Sequence, residues 1–182
     1  MTNSPHADRV AWVKAAMDVY EAPLIRYASR VLDDRDLARD VVQDTFLRLC
    51  RAEPEAVQSH LAQWLYTVCR NRAFEVLRKD KRMQPLSDTH LAVSPADGDG
   101  PAATLSATDD RRTARDLLAT LPDRQQEVIR LKFHDGLSYR EISAVTGLSE
   151  TNVGYLIHMG IKAMRRQFAE LNSATSHQKV QP

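Results

Sequence analysis

Residues 138–166 read SYREISAVTGLSETNVGYLIHMGIKAMRR, and the fold follows from this stretch. Its first four residues, Ser138-Tyr139-Arg140-Glu141, set a hydroxyl three residues before a carboxylate, the spacing of a capping box at a helix start. Ile142 and Val145 supply a short apolar stripe, and Gly147 ends it where a left-handed residue costs least. Ser149 is placed to cap a second helix. That helix carries Val153, Leu156, Ile157, Gly160, Ile161, Met164 and Phe168 at spacings of three and four, which predicts one apolar face. A short helix, a glycine turn and a longer amphipathic helix read as a helix-turn-helix, whose second helix enters a DNA major groove. The same pattern also suits an αα-corner with no DNA role.

The 182 residues make one domain or two small ones, and 43% hydrophobic with 27% charged residues is the composition of a soluble globular protein. Net charge is only +1, so the distribution of charge matters more than its sum. Cys50 and Cys69 have no CxxC partner and no histidine at ligand spacing, and read as buried small residues of a reducing compartment. The start MTNSPHADRV lacks a basic, then apolar signal, and no run approaches membrane-spanning length, so a cytoplasmic protein without membrane insertion is expected.

Working outward, the pattern predicts an all-α chain of two small helical domains joined by a flexible acidic linker. Residues 1–83 are helical almost throughout. Val13, Ala16, Met17 and Tyr20 share a face, Pro23 begins or kinks the next helix, and Leu24, Tyr27, Ala28 and Val31 continue the stripe up to Asp33-Asp34. A second stripe runs through Leu37, Val41, Phe46 (or its neighbour Thr45) and Leu49. After Pro54 and a polar segment, a long helix places Leu61, Leu65, Val68, Cys69 and Val76 in the core. Residues 84–110 hold three prolines, two glycines, five aspartates and no lysine or arginine, a composition that reads as an acidic tether or a plain spacer. In residues 111–170, Leu117, Leu118 and Leu121 are apolar, Leu121-Pro122-Asp123 ends one helix, Asp123 caps the next, and Val128, Ile129 and Leu131 lead into Phe133. Residues 171–182 are polar and read as a disordered tail.

Residues 1–83 hold 14 basic and 12 acidic side chains, residues 84–110 hold 0 and 5, and residues 111–182 hold 11 and 7. Arg70, Arg72, Arg78, Lys79, Lys81 and Arg82 crowd into thirteen residues near Trp64, Tyr66 and Phe74. A basic helix with aromatics can track phosphates and stack bases, although such a face is also compatible with plain solvation. One helix earlier, Asp36, Asp40 and Asp44 recur every fourth residue, with Gln43 and Arg48 nearby. Like charges at that spacing repel by a few tenths of a kcal/mol (about 0.2–0.5 per pair), a cost that a basic partner surface would offset. A solvated acidic face is the alternative. No metal ligand set, cofactor loop or nucleophile with a paired base is readable, so no enzyme chemistry is expected.

Together these pieces resemble a family. DLARDVVQDTFLRL (36–49) and WLYTVCRNRAFEVLRKDKR (64–82) are similar to domain two of bacterial RNA polymerase sigma factors. LLATLPDRQQEVIRLKFHDGLSYREISAVTGLSETNVGYLIHMGIKAMRR (117–166) is similar to domain four, and two domains with a short linker resemble the extracytoplasmic-function type. The resemblance implies a transcription initiation factor that binds core RNA polymerase and promoter DNA and helps melt the minus-ten region. It implies that Asp36, Asp40, Gln43, Asp44 and Arg48 face the β′ clamp helices, with the β subunit a further contact, and that residues 52–60 form the pocket for a flipped base. Arg70, Asn71, Arg78, Lys79 and Arg82 fall on the minus-ten strand, while Trp64 is read as core. Arg140, Ser149, Thr151, Asn152, Tyr155, His158 and Lys162 fall on the minus-thirty-five element. This chain departs from the family where Gly154, Tyr155, Leu156 and Met159 stand in places often basic or small and polar. Family members are commonly clamped by an anti-sigma factor, and the family's linker threads the polymerase. Two other readings remain open: a stand-alone helix-turn-helix regulator, and a polymerase-binding regulator without initiation activity.

Overall fold

The computed structural model describes residues 5–83 and 105–178. Within them the chain forms two compact units, the first holding the helices before the acidic stretch together with Ala144–Gly147 and the second the remaining residues after it. Residues 84–104 of the acidic stretch lie outside the described residues.

The first unit runs α1 (Pro5–Leu32), α2 (Arg35–Arg51), a short α3 (Pro54–Val57) followed by a 3₁₀ turn (Gln58–His60), and α4 (Leu61–Met83). Helix α1 packs along both α2 and α4, and α2 packs along α4. Pro23 lies inside α1 and does not divide it. The roughly 3 kcal/mol that an interior proline costs is offset by burial on its C-terminal side, where Leu24, Tyr27 and Ala28 enter the core. The core is completed by Val41, Val42, Phe46, Leu49, Leu65, Tyr66, Cys69 and Ala73, with the Tyr27 and Tyr66 rings meeting edge to face at 5.5 Å. Phe46 and Thr45 are both buried, and the Thr45 hydroxyl donates to the Val41 carbonyl at 2.8 Å. Leu61, Val68 and Val76 are only half-buried, so α4 commits a narrower stripe to the core than its sequence predicts.

The joints are polar. Asp33 adopts a positive φ of 53°, and Asp34 Oδ1 accepts the amides of Asp36 and Leu37 at 2.8 and 2.9 Å, starting α2. The far end of α2 is closed from a distance. Arg9 of α1 donates to the Cys50 carbonyl at 3.1 Å and the Ala52 carbonyl at 2.6 Å, satisfying groups that a helix C-terminus leaves open. Cys50 is exposed rather than buried, since it lies about 100° round the helix from buried Leu49, whereas Cys69 is buried as expected.

The second unit runs α5 (Leu105–Ala119), α6 (Asp123–Phe133), α7 (Tyr139–Thr146) and α8 (Glu150–Gln178). Helix α5 begins at Leu105, inside the segment read as linker, because residues 105–110 contain no proline or glycine to stop it. At the other end α8 continues past Glu170 to Gln178, where the sequence predicts a disordered tail; this stretch too lacks helix breakers, and the Ser173 hydroxyl donates to the Ala169 carbonyl at 2.8 Å. Residues 179–182 lie outside the described residues. Asp123 is the first helical residue of α6 and not its cap: Pro122 takes the cap position, with no side-chain bond. Buried Gln126 closes the preceding helix, donating to the Ala119 carbonyl at 3.3 Å and to the Leu121 carbonyl beyond it at 2.8 Å. Phe133 ends 65% exposed at the last position of α6, and Phe168 is exposed on α8 past the end of the core.

Helices α6 and α8 meet at Gly160, where an added Cβ would lie 2.5 Å from Ile129 Cδ1 and 3.2 Å from Leu121 Cδ1. A branched side chain there overpacks the interface. Gly160→Val is predicted to lower unfolding free energy by about 1–3 kcal/mol in chemical denaturation, and unchanged stability contradicts the close packing. Burial pushes the Cys69 thiol from the ordinary 9.0 up to about 12, partly opposed by its bond to Thr45. The raised value holds the neutral thiol in the folded state, so its stabilising contribution is complete below the unfolded thiol's pKa and is lost as pH rises through the folded one. The stability advantage over Cys69→Ala is thus predicted to shrink as pH climbs from 9.0 towards about 12, by at most about 1.4 kcal/mol per pH unit.

Candidate nucleic-acid interface and docking face

Helix α2 turns Ala38, Val41, Val42, Thr45, Phe46 and Leu49 into the core, which leaves a separate stripe outside. Asp36, Asp40, Gln43 and Arg48 are exposed on it. Asp36 is held by Arg39 at 3.2 Å on the same helix. Asp44 is not a free member of the stripe: its Oδ2 accepts from Arg72 Nε of α4 at 2.9 Å, with 43% of the Asp44 side chain and 26% of Arg72 still exposed. Arg72 also reaches Glu75 at 3.3 Å. The bond to Asp44, reinforced by Glu75, holds the Arg72 proton more tightly than usual. Arg72 is thus a structural tie between two proposed functional helices, a role that its place in a basic cluster conceals. Leu47 is a second residue that the sequence reading passes over. It is 49% exposed and lies between Gln43, Asp44 and Arg48 on the outer stripe, an apolar spot inside a polar face.

On α4 the basic residues divide. Asn71 and Arg78 are exposed and lie within about 20° of each other around the helix at 100° per residue, with position 82 about 20° from Asn71 on its other side. The side chain of Arg82 lies outside the described residues. Lys79 is exposed about 100° away from Arg78, so it does not share that face. Arg70 is half-buried with its guanidinium 4.6 Å from the Phe74 ring centre, a cation–π contact that orients both. Arg78 donates to the Phe74 carbonyl at 3.2 Å. Trp64 is half-buried rather than a core residue, and it falls on the azimuth of Asn71 and Arg78, because the core stripe of α4 is already filled by Leu65, Tyr66, Cys69 and Ala73. The stretch before α4 is mostly helical turns, with Val57 buried and the Ser59 hydroxyl 3.1 Å from His60 Nδ1.

In the second unit the helix-turn-helix closes as its sequence predicts. The Ser138 amide donates to Glu141 Oε2 at 2.7 Å and the Glu141 amide to the Ser138 hydroxyl at 3.3 Å. Gly147 takes a φ of 74°, Ser143 donates to the Leu148 carbonyl at 2.6 Å, and the Asn152 amide donates to Ser149 at 3.2 Å. These bonds fix the angle at which α8 leaves the turn. Val153, Ile157 and Gly160 face the core, and Ser149, Thr151, Asn152, Tyr155, His158 and Lys162 are exposed, as is Arg140 on α7. Tyr139 lies beside Gly154, whose added Cβ would sit 3.5 Å from its ring, and Lys132 stands 5.4 Å from the same ring centre. Among the described residues no group of three or more His, Cys, Asp or Glu could hold a metal ion, and no helix is long and apolar enough to cross a membrane.

Comparison with known proteins adds the following. Residues 17–83 match the family described as Sigma-70 region 2, and residues 111–164 match Sigma-70, region 4. The ECF RNA polymerase sigma factor SigL of Mycobacterium tuberculosis is 30% identical over 168 residues, covering 91% of this chain and 93% of that protein. The ECF RNA polymerase sigma factor SigW of Bacillus subtilis is 27% identical over 165 residues, covering 85% and 88%. A solved structure of the sigma factor RpoE of Bartonella quintana, in complex with the anti-sigma factor NepR, superposes with a TM-score of 0.62 at 23% identity, over 86% of this chain and 96% of that one. The chain therefore belongs to the extracytoplasmic-function RNA polymerase sigma factors.

Proposed function

We propose that this chain binds core RNA polymerase, directs it to specific promoters and helps melt their minus-ten region. The observation that carries the reading is the pairing in this chain, in this order, of a region 2 match and a region 4 match, together with a relative that aligns over 91% of its residues. Its activity is binding, exercised where transcription takes place in the cytoplasm. Core polymerase meets the outer stripe of α2, with Asp36 and Asp40 supplying charge and Leu47 an apolar contact toward a basic partner. The single-stranded minus-ten element meets the α4 face that carries Trp64, Asn71 and Arg78, which combines a stacking ring with an amide and a phosphate-binding cation. The upstream element meets α8. Since the solved neighbour is held by an anti-sigma factor, an inhibitor of that kind is a further candidate partner.

The pairing of Asp44 with Arg72 decides which substitution tests the docking face. Charge reversal at Asp44 removes an internal ion pair as well as a partner contact, whereas Asp40 has no ion pair among the described residues. Asp40→Arg is predicted to weaken core polymerase binding at least about tenfold in a titration, the loss that one reversed interfacial charge brings, without lowering thermal stability. Unchanged affinity removes α2 as the docking face. Arg78→Ala is predicted to leave core binding intact and to lower permanganate reactivity of the minus-ten thymines, with the salt slope of strand binding reduced by about 0.7. Normal opening by that variant contradicts the placement of the strand on α4.

A further inference from the structure

The initiation reading leaves open which bases the second unit recognises, and the exposed face of α8 has an uneven chemistry that bears on it. Residues 150–161 contain no lysine or arginine, while Lys162, Arg165 and Arg166 follow at once. Taking Tyr155 as the reference at 100° per residue, Thr151, Asn152, His158, Met159, Lys162 and Arg166 all lie within about 60° of it, so they form one stripe. All are exposed; Tyr155 is 60% and Met159 36% accessible despite being large and apolar for the most part. Glu150 lies about 140° away from Tyr155, off this stripe, where its charge complements the helix N-terminus.

In a helix-turn-helix the first turns of the second helix reach base edges, and its later turns rise onto the phosphates. The stripe is therefore divided: uncharged side chains at the bases, cations at the backbone. Guanine is read above all by the paired donors of arginine or lysine, which this part of α8 lacks. The side chains present fit the other base pair. Asparagine matches the donor and acceptor of adenine, and apolar surface matches the C5-methyl group of thymine.

We propose that α8 reads an A·T-rich upstream element, with Tyr155 and Met159 covering thymine methyl groups and Asn152 pairing with an adjacent adenine. This rests on the initiation reading above and names the bases that reading requires. Lys162, Arg165 and Arg166, joined by Arg140 from α7, hold the flanking phosphates and carry no base preference.

The test uses the full chain assembled with core RNA polymerase. Promoter duplexes with a fixed minus-ten element and a randomised upstream segment are selected by binding, and thymines of the selected element are then replaced one at a time by deoxyuridine, which removes only the methyl. The expected result is an A·T-dominated element in which at least two replacements each weaken binding about fourfold, the loss expected for one buried methyl-sized group. Tyr155→Ala abolishes the response to one of those replacements, and Tyr155→Phe, which keeps the ring, retains it. A G·C-dominated element, or deoxyuridine replacements that leave affinity unchanged while the holoenzyme still binds and opens promoters, overturns the base assignment alone. If no complex with core polymerase forms, the initiation reading falls and the assignment falls with it.

Discussion

The first unit depends on how α2 spends its two faces. Six residues, Ala38, Val41, Val42, Thr45, Phe46 and Leu49, are buried against α1 and α4, and a helix that commits this stripe to a core has no freedom in what it shows outside. Asp36, Asp40, Gln43 and Leu47 are outward because their neighbours are inward. The ion pair of Asp44 with Arg72 links this face to α4, and thereby sets the outer stripe of α2 at a defined position relative to the helix that carries Asn71 and Arg78. An exposed pair of this kind contributes about 0–1 kcal/mol, so its value here is geometric more than energetic.

The second unit solves a different problem. A recognition helix must stand off its own core far enough to reach a groove, yet be held rigidly. Gly160 allows α8 to approach Ile129 and Leu121 closely, and the bonds of Ser138, Glu141, Ser143 and Ser149 fix its starting turn. With rigidity supplied by packing and caps, the outer stripe is left free to carry readout chemistry. That chemistry is unusual for a DNA-reading helix in postponing its cations until Lys162.

Much of this was legible in the sequence where the cause is local. A capping box, a left-handed glycine and a serine cap depend on residues within four of each other, and all three take the expected form. Amphipathic spacing likewise places Leu24, Leu49, Leu65 and Ile157 in the core. What was not legible depends on distant partners. The end of α2 is capped by Arg9, forty-one residues before Cys50, and Arg72 is tied to a carboxylate twenty-eight residues away. Phe133 is exposed and Trp64 stands at the edge of the core because other side chains already fill the available volume. Pro23 within α1, Pro122 in place of Asp123 at the start of α6, and the early start of α5 are outcomes that residue preferences alone leave undecided.

Transcription reconstituted from purified core RNA polymerase and this chain on genomic fragments tests the central claim most directly. Discrete start sites that appear only when the chain is added, each preceded by common minus-ten and upstream elements, are the predicted result. The absence of any new start site from a chain that demonstrably binds the polymerase would contradict it.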